Sequence, residues 1–181
     1  MKATEVDKFF TEEAYFLLEE ESELKHELIN GELIEMSGVS IFHNDIVGNI
    51  YLLLRNLIRG KNLKVVFENY KIKTPEGNFF YPDVAVCLPG VQKYFSEHPI
   101  LIIEVLSDAT RKYDLTDKFI QYQKIETLQY YICAEPEQQV VVFYQKQENG
   151  SWTAETFTKD EQHLVLNQLS ISISLKDIYT S

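Results

Sequence analysis

The run Ile100–Leu106 within "PILIIEVLSD" constrains this chain more than any other segment. Its residues are apolar and mostly β-branched, with one exception, and show no alternation. That is the pattern of a short strand covered on both faces. A chain with such a strand must supply packing layers on both sides. The order of helix, several strands, helix and further strands then points to a mixed central β-sheet flanked by helices, an α/β (α+β) arrangement. The exception is Glu104. An unpaired charge in that setting costs several kcal/mol, roughly, or forces the group to take up a proton. Glu104 therefore needs a partner.

The 181 residues suit one domain spanning 1–181, and a hydrophobic share of 45% agrees with a globular core. No apolar run approaches the roughly 20 residues needed to cross a bilayer. The N-terminal stretch is acidic and amphipathic, unlike a signal peptide. Cys87 and Cys133 form no CxxC pair and are read as buried thiols in a reducing cytoplasm. The net charge of −11 argues against a protein that coats nucleic acid non-specifically. The charge is uneven, however: residues 37–134 hold 10 acids against 11 bases. Arg55, Arg59, Lys61, Lys64, Lys71 and Lys73 form a basic run interrupted only by Glu68, read first as a solvated surface and second as a phosphate-binding stripe.

Thr11 is the expected N-cap of a short helix with Glu12 and Glu13 in its first turn. "KHELINGELIEM" reads as an N-terminal hairpin around Asn30-Gly31. Helical spacing of Ile46, Val47, Ile50, Leu53, Leu54 and Leu57 predicts a helix from His43 to about Arg59, closed by Gly60. "LKVVFENYKIKT" and "FFYPDVAVCL" read as two continuous strands around a turn at 75–78. A helix is expected from Asp114 to Ile125, with Asp114 as N-cap and Asp117 three residues on. "LQYYICA" follows as a buried strand, then a hairpin around Asn149-Gly150, then "LSISISLKDIY", a C-terminal strand running into a helical turn.

Several chemistries are absent from the sequence. The glycines are too dispersed for a GxGxxG or phosphate loop, there is no HExxH, and Ser107 lacks the GxSxG elbow. Three residues remain aligned. Asp83 and Glu104 are carboxylates in consecutive apolar strands, and Lys118 lies early in the next helix beside the stripe Leu115, Phe119 and Tyr122. Two such carboxylates can hold Mg²⁺, which takes oxygen ligands and keeps waters for substrate phosphates. A nearby lysine can stabilise charge growing on a phosphoryl group. Glu104 has an alternative in an ion pair with Arg55 or Arg111, Asp83 in capping a turn, and Lys118 in a solvated helix face.

The order of "HELINGELIEMSG", "YPDVAV", "IIEVLS", "DLTDKFIQY", "YYIC" and "VVFY" resembles the PD-(D/E)XK nuclease superfamily, and within it a bacterial Uma-type endonuclease branch. The resemblance runs from about Lys25 to the C-terminal strand. It implies a restriction-endonuclease-like fold, with Asp83 and Glu104 as metal ligands and Lys118 as the catalytic amine. The superfamily signature puts its lysine two residues after the acid, where this chain has Leu106; in the Uma-type branch that lysine lies on the following helix. Glu27 and His43 also match family positions. From residue type alone, they read as an exposed strand glutamate and a helix-start histidine with a local hydrogen bond.

The leading functional expectation is a Mg²⁺-dependent endonuclease, with Mn²⁺ as substitute, acting on DNA in the cytoplasm as a homodimer. The dimer rests on an uncovered β-edge expected at "LQYYIC" and "VVVFY". A second reading makes the chain a catalytically weak or inactive nuclease-like module that binds nucleic acid or regulates, because of Leu106 and the acidic surface. A third is hydrolysis of a smaller phosphate ester.

Overall fold

The computed structural model describes residues 9–36, 38–108 and 110–180. Helix α1 (Glu12–Glu21) is capped by Thr11, whose hydroxyl accepts from the Ala14 N–H at 3.3 Å. Strands β1 (His26–Ile29) and β2 (Glu32–Glu35) form the expected hairpin, with φ of 51° at Asn30 and 83° at Gly31. Helix α2 (Ile41–Leu57) begins two residues before His43 because Ser40, rather than His43, supplies the cap.

The two strands expected at 63–74 and 79–88 form one bent ribbon. The first divides into β3 (Lys64–Phe67) and β4 (Lys71–Lys73), and the second into β5 (Phe79–Phe80) and β6 (Val84–Cys87). β3 pairs with β6 in one sheet, and β4 pairs with β5 in another. The corner lies where Glu68 adopts φ of 50° and where Pro82 has no N–H to continue a ladder. The Glu68 N–H donates to the Asp83 carbonyl at 3.0 Å and ties the two corners together.

Strand β7 (Phe95–Ser96), not anticipated from the sequence, completes a small sheet in the order β2-β1-β5-β4-β7. Strand β8 (Pro99–Val105) is buried along its whole length. With β9 (Tyr130–Ala134), β10 (Val141–Lys146) and β11 (Trp152–Phe157) it builds the large sheet, ordered β11-β10-β9-β8-β6-β3. β8 and β9 run parallel and the other neighbours antiparallel, so the sheet is mixed as expected. β9 and β10 are interior strands, so the edges are β11 and β3. The uncovered edge expected at "LQYYIC" and "VVVFY" is therefore not there.

The helix expected from Asp114 begins earlier. It comprises α3 (Arg111–Tyr113), a π-helical turn (Asp114–Lys118) and α4 (Phe119–Tyr122). Asp114 is helical at φ −63°, ψ −40°, so it is an interior residue and not the N-cap. The chain closes with β12 (His163–Leu166), β13 (Ile171–Ser174) and α5 (Leu175–Tyr179).

The period of two along β8 sorts its side chains into two cores. Leu101, Ile103 and Val105 pack with Ile46, Ile50 and Leu54 of α2. Ile102 and Leu106 pack on the other face with Phe119, Tyr122 and Tyr131. Glu104 shares the parity of Ile102 and Leu106, so it faces the π turn and α4. No helix among the described residues is long and apolar enough to cross a membrane. Truncating fully buried Leu101 in Leu101→Ala should cost about 2–5 kcal/mol, read by urea unfolding, if β8 is the strand both layers depend on.

Candidate active site

The bent ribbon brings acidic residues from three elements to the junction of the two sheets. Pairing of Val84 with Ile103 sets Asp83 beside Glu104. The Val105 N–H donates to Asp83 Oδ2 at 2.6 Å, and the Asp83 N–H makes a long 3.4 Å contact with Glu104 Oε2. From the small sheet, Glu27 of β1 accepts the Tyr81 N–H at 3.0 Å. The three carboxylates Glu27, Glu104 and Asp114 and the Lys118 amine are all at most 5% exposed.

Lys118 Nζ lies 3.0 Å from Glu27 Oε1, 3.1 Å from Glu104 Oε1 and 3.8 Å from Asp114 Oδ1. This answers the question of the partner of Glu104. Arg111 instead pairs with Glu135 and lies 3.7 Å from Asp108, and Arg55 is exposed on α2. The basic run divides: Arg55, Arg59 and Lys64 are exposed, while the other three are engaged. Lys71 is buried, 3.7 Å from Glu19; Lys73 binds Glu12 at 2.8 Å; and Lys61 donates to the Leu169 and Ser170 carbonyls.

Tyr122 donates its hydroxyl to Glu104 Oε1 at 3.2 Å. His43 is buried, with Nε2 3.3 Å from Asp83 Oδ2, so its side-chain partner comes from across the cleft rather than from its own helix turn. Asp83, Glu104, Lys118, Glu27 and His43 thus all line one cavity of about 140 Å³. Asp114, expected as a helix cap, joins them. Its spacing of four from Lys118 was the signal in the sequence, once the helix is known to start earlier.

The electrostatics follow from burial. Glu104 is held well above the usual carboxylate range, first by burial and then by Asp114, Asp83 and Glu27, with Lys118 opposing. Burial likewise raises Asp114. Burial would lower Lys118, but Glu104 and Glu27 outweigh it and keep the amine firmly protonated. For His43, burial opposes the charged form, while the hydrogen bond and charge of Asp83 raise the imidazole above its ordinary value.

No three His, Cys, Asp or Glu side chains among the described residues converge into a ready-made metal cage. Oxygen donors are nevertheless free. Asp83 commits Oδ2 to Val105 and His43, and Glu104 commits Oε1 to Lys118 and Tyr122. Asp83 Oδ1 has no partner among the described residues, and Glu104 Oε2 has only its long contact with the Asp83 N–H. Two hard oxygens beside an excess of negative charge fit Mg²⁺, which needs only one or two carboxylates alongside waters and phosphate oxygens.

A mixed sheet flanked by helices, with carboxylates at its junction with a smaller sheet, defines a restriction-endonuclease-like fold. The fold matches a solved structure described as "a putative nuclease belonging to DUF820" from Anabaena variabilis, at TM-score 0.73 and 18% identity, covering 88% of this chain and 92% of that one. The sequence matches the family described as "Uma2: Putative restriction endonuclease" over residues 12–176, and the chain belongs to that family. Two Synechocystis proteins, named only as uncharacterized proteins slr1290 and sll1609, are each 30% identical to it. The alignments cover 92% and 84% of this chain and 90% and 89% of those proteins.

Removing the amine in Lys118→Met leaves buried carboxylates uncompensated and should destabilise the fold by about 3–5 kcal/mol at neutral pH. Because Glu104 is raised above its unfolded value, its proton stabilises the folded state at low pH, and that contribution fades as pH rises through the raised value. The deficit of Lys118→Met should therefore shrink on acidification, as measured by unfolding at a series of pH values. In metal-free buffer, Asp83→Asn should lower the His43 pKa, read from its imidazole NMR shifts, because burial then acts without the opposing charge.

Proposed function

We propose that the protein is a divalent-metal-dependent endonuclease that hydrolyses DNA phosphodiester bonds in this cleft. The observation that carries the reading is the charge imbalance at the sheet junction. Four carboxylates, Asp83, Glu104, Glu27 and Asp114, line a cavity whose buried ammonium is Lys118. Membership of the family described as "Putative restriction endonuclease" supports the same reaction class.

Asp83 and Glu104 would hold Mg²⁺, or Mn²⁺ in its place. When bound, the ion lowers the pKa of water and offsets charge on the phosphate. Lys118 and Tyr122 fix Glu104 through Oε1 and leave Oε2 on the side of Asp83. His43 and the Val105 N–H fix Asp83 in the same way. Glu104, Glu27 and Asp114 keep Lys118 protonated, and its positive charge favours negative charge growing on the phosphoryl group. In this reading, the amine of the following helix does the work that Leu106, buried in the apolar core, cannot do.

A second reading, a nuclease-like module that binds nucleic acid without cutting it, is favoured by the full engagement of Lys118 with carboxylates. Nicking of supercoiled DNA separates the two readings. The protein with Mg²⁺ or Mn²⁺ should nick the plasmid and stop when EDTA is added. Asp83→Asn and Glu104→Gln should each lower the rate by about a hundredfold or more while circular dichroism stays unchanged. Equal rates in both variants would refute the site.

A further inference from the structure

A buried hydroxyl without a hydrogen-bond partner costs about 1–3 kcal/mol, and one in a native fold calls for an explanation. Among the described residues, two buried side-chain polar atoms lack any partner: the Tyr113 hydroxyl and His43 Nδ1. Both residues line the same cleft. One comes from α3 and the other from α2. That coincidence points to a ligand, because orphans left by imperfect packing have no reason to gather at one site.

Most of the neighbouring side-chain donors are already engaged. Lys118 Nζ is shared among three carboxylates, and Tyr122 donates to Glu104. The Ser107 and Thr110 hydroxyls bond to each other at 2.9 Å, and Arg111 is held by Glu135 and Asp108. A phosphodiester entering this acidic cleft needs a donor for its anionic oxygens; the Tyr113 O–H is uncommitted and carries its hydrogen at any neutral pH, whereas His43 Nδ1 is a donor only in the tautomer or charge state that protonates it. Burial, reinforced by Glu27, pushes the phenol well above its ordinary range, so it keeps its proton at neutral pH. The π turn explains how it reaches the cleft. A turn closed by i→i+5 bonds holds one residue more than an α turn, which brings Tyr113 and Lys118 round towards one side.

The geometry points to Tyr113 as a substrate-binding residue that donates its phenolic hydrogen to a non-bridging oxygen of the scissile phosphodiester. The proton stays on the phenol throughout, so the contact is a positioning and charge-stabilising hydrogen bond. This inference rests on the endonuclease reading and adds the group by which the chain grips the phosphate.

The test compares wild type with Tyr113→Phe in two assays. One is cleavage of a labelled oligonucleotide with Mn²⁺, and the other is binding of the same oligonucleotide with Ca²⁺ by fluorescence anisotropy. The melting temperature should not fall, because the lost hydroxyl has no partner within the fold. Cleavage should slow by about a hundredfold. A substrate with sulfur replacing one non-bridging oxygen at the scissile phosphate should be cut more slowly by wild type in one diastereomer, and Tyr113→Phe should lose that extra penalty. If wild type cuts and Tyr113→Phe cuts equally well with the same sulfur effect, Tyr113 does not touch the phosphate, and the endonuclease reading stands. If wild type binds without cutting and Tyr113→Phe binds more weakly, the contact stands and the enzyme reading falls. If wild type neither cuts nor binds, both are overturned.

Discussion

The Lys118 ammonium lies within 3.8 Å of carboxylates from β1, β8 and the π turn, and it is buried with all three of them. An acid that stays ionised in such a setting needs a cation, since a buried ion loses hydration that only close partners replace. The contact also fixes architecture. Glu27 belongs to the small sheet, Glu104 to the large one and Asp114 to the helical segment, so a single amine joins the three parts at one point. The second layer of the site depends on it. Tyr122 and Lys118 share Glu104 Oε1, which leaves the other oxygen beside Asp83.

Backbone chemistry makes the meeting possible. The ribbon from β3 to β6 bends where Glu68 takes a left-handed conformation and Pro82 interrupts the ladder, and the chain passes there from one sheet into the other. Asp83 sits on the inner side of that corner. A straight ribbon would carry β4 and β5 onward in the large sheet, and Glu27, which reaches the site through pairing of β1 with β5, would have no route to Lys118. The π turn contributes in the same way at the other wall. It keeps Asp114, Lys118 and Tyr113 at the cleft while α4 continues with Phe119 and Tyr122 in the core.

Much of this was legible in the sequence where a residue's type conflicted with its surroundings. Glu104 in an apolar strand announced a partner, and the resemblance in "YPDVAV" and "DLTDKFIQY" pointed to Asp83 and Lys118, which the fold brings to the same cleft. The Asn30-Gly31 hairpin and the Thr11 cap follow local rules and formed as those rules require. What escaped was set by tertiary contacts. The apolar positions change parity across Glu68 and Asn69, and Pro82 interrupts the second run, but a parity change and a proline can equally mark a bulge or an edge strand, so neither says that the strands change sheets. Asp114 before an apolar stripe has the look of a cap, and only the earlier start of the helix at Arg111 turns it inward. The exposed glutamate suggested by residue type at position 27 became a buried one because β5 and Lys118 cover it.

The central claim is that the free oxygens of Asp83 and Glu104 mark a divalent-cation site. Diffraction from crystals soaked in Mn²⁺, collected at the manganese absorption edge, tests it most directly. An anomalous peak within coordination distance of both carboxylates, and lost in Glu104→Gln crystals, is the predicted result. Manganese bound elsewhere on the protein, with no peak between Asp83 and Glu104, would contradict it.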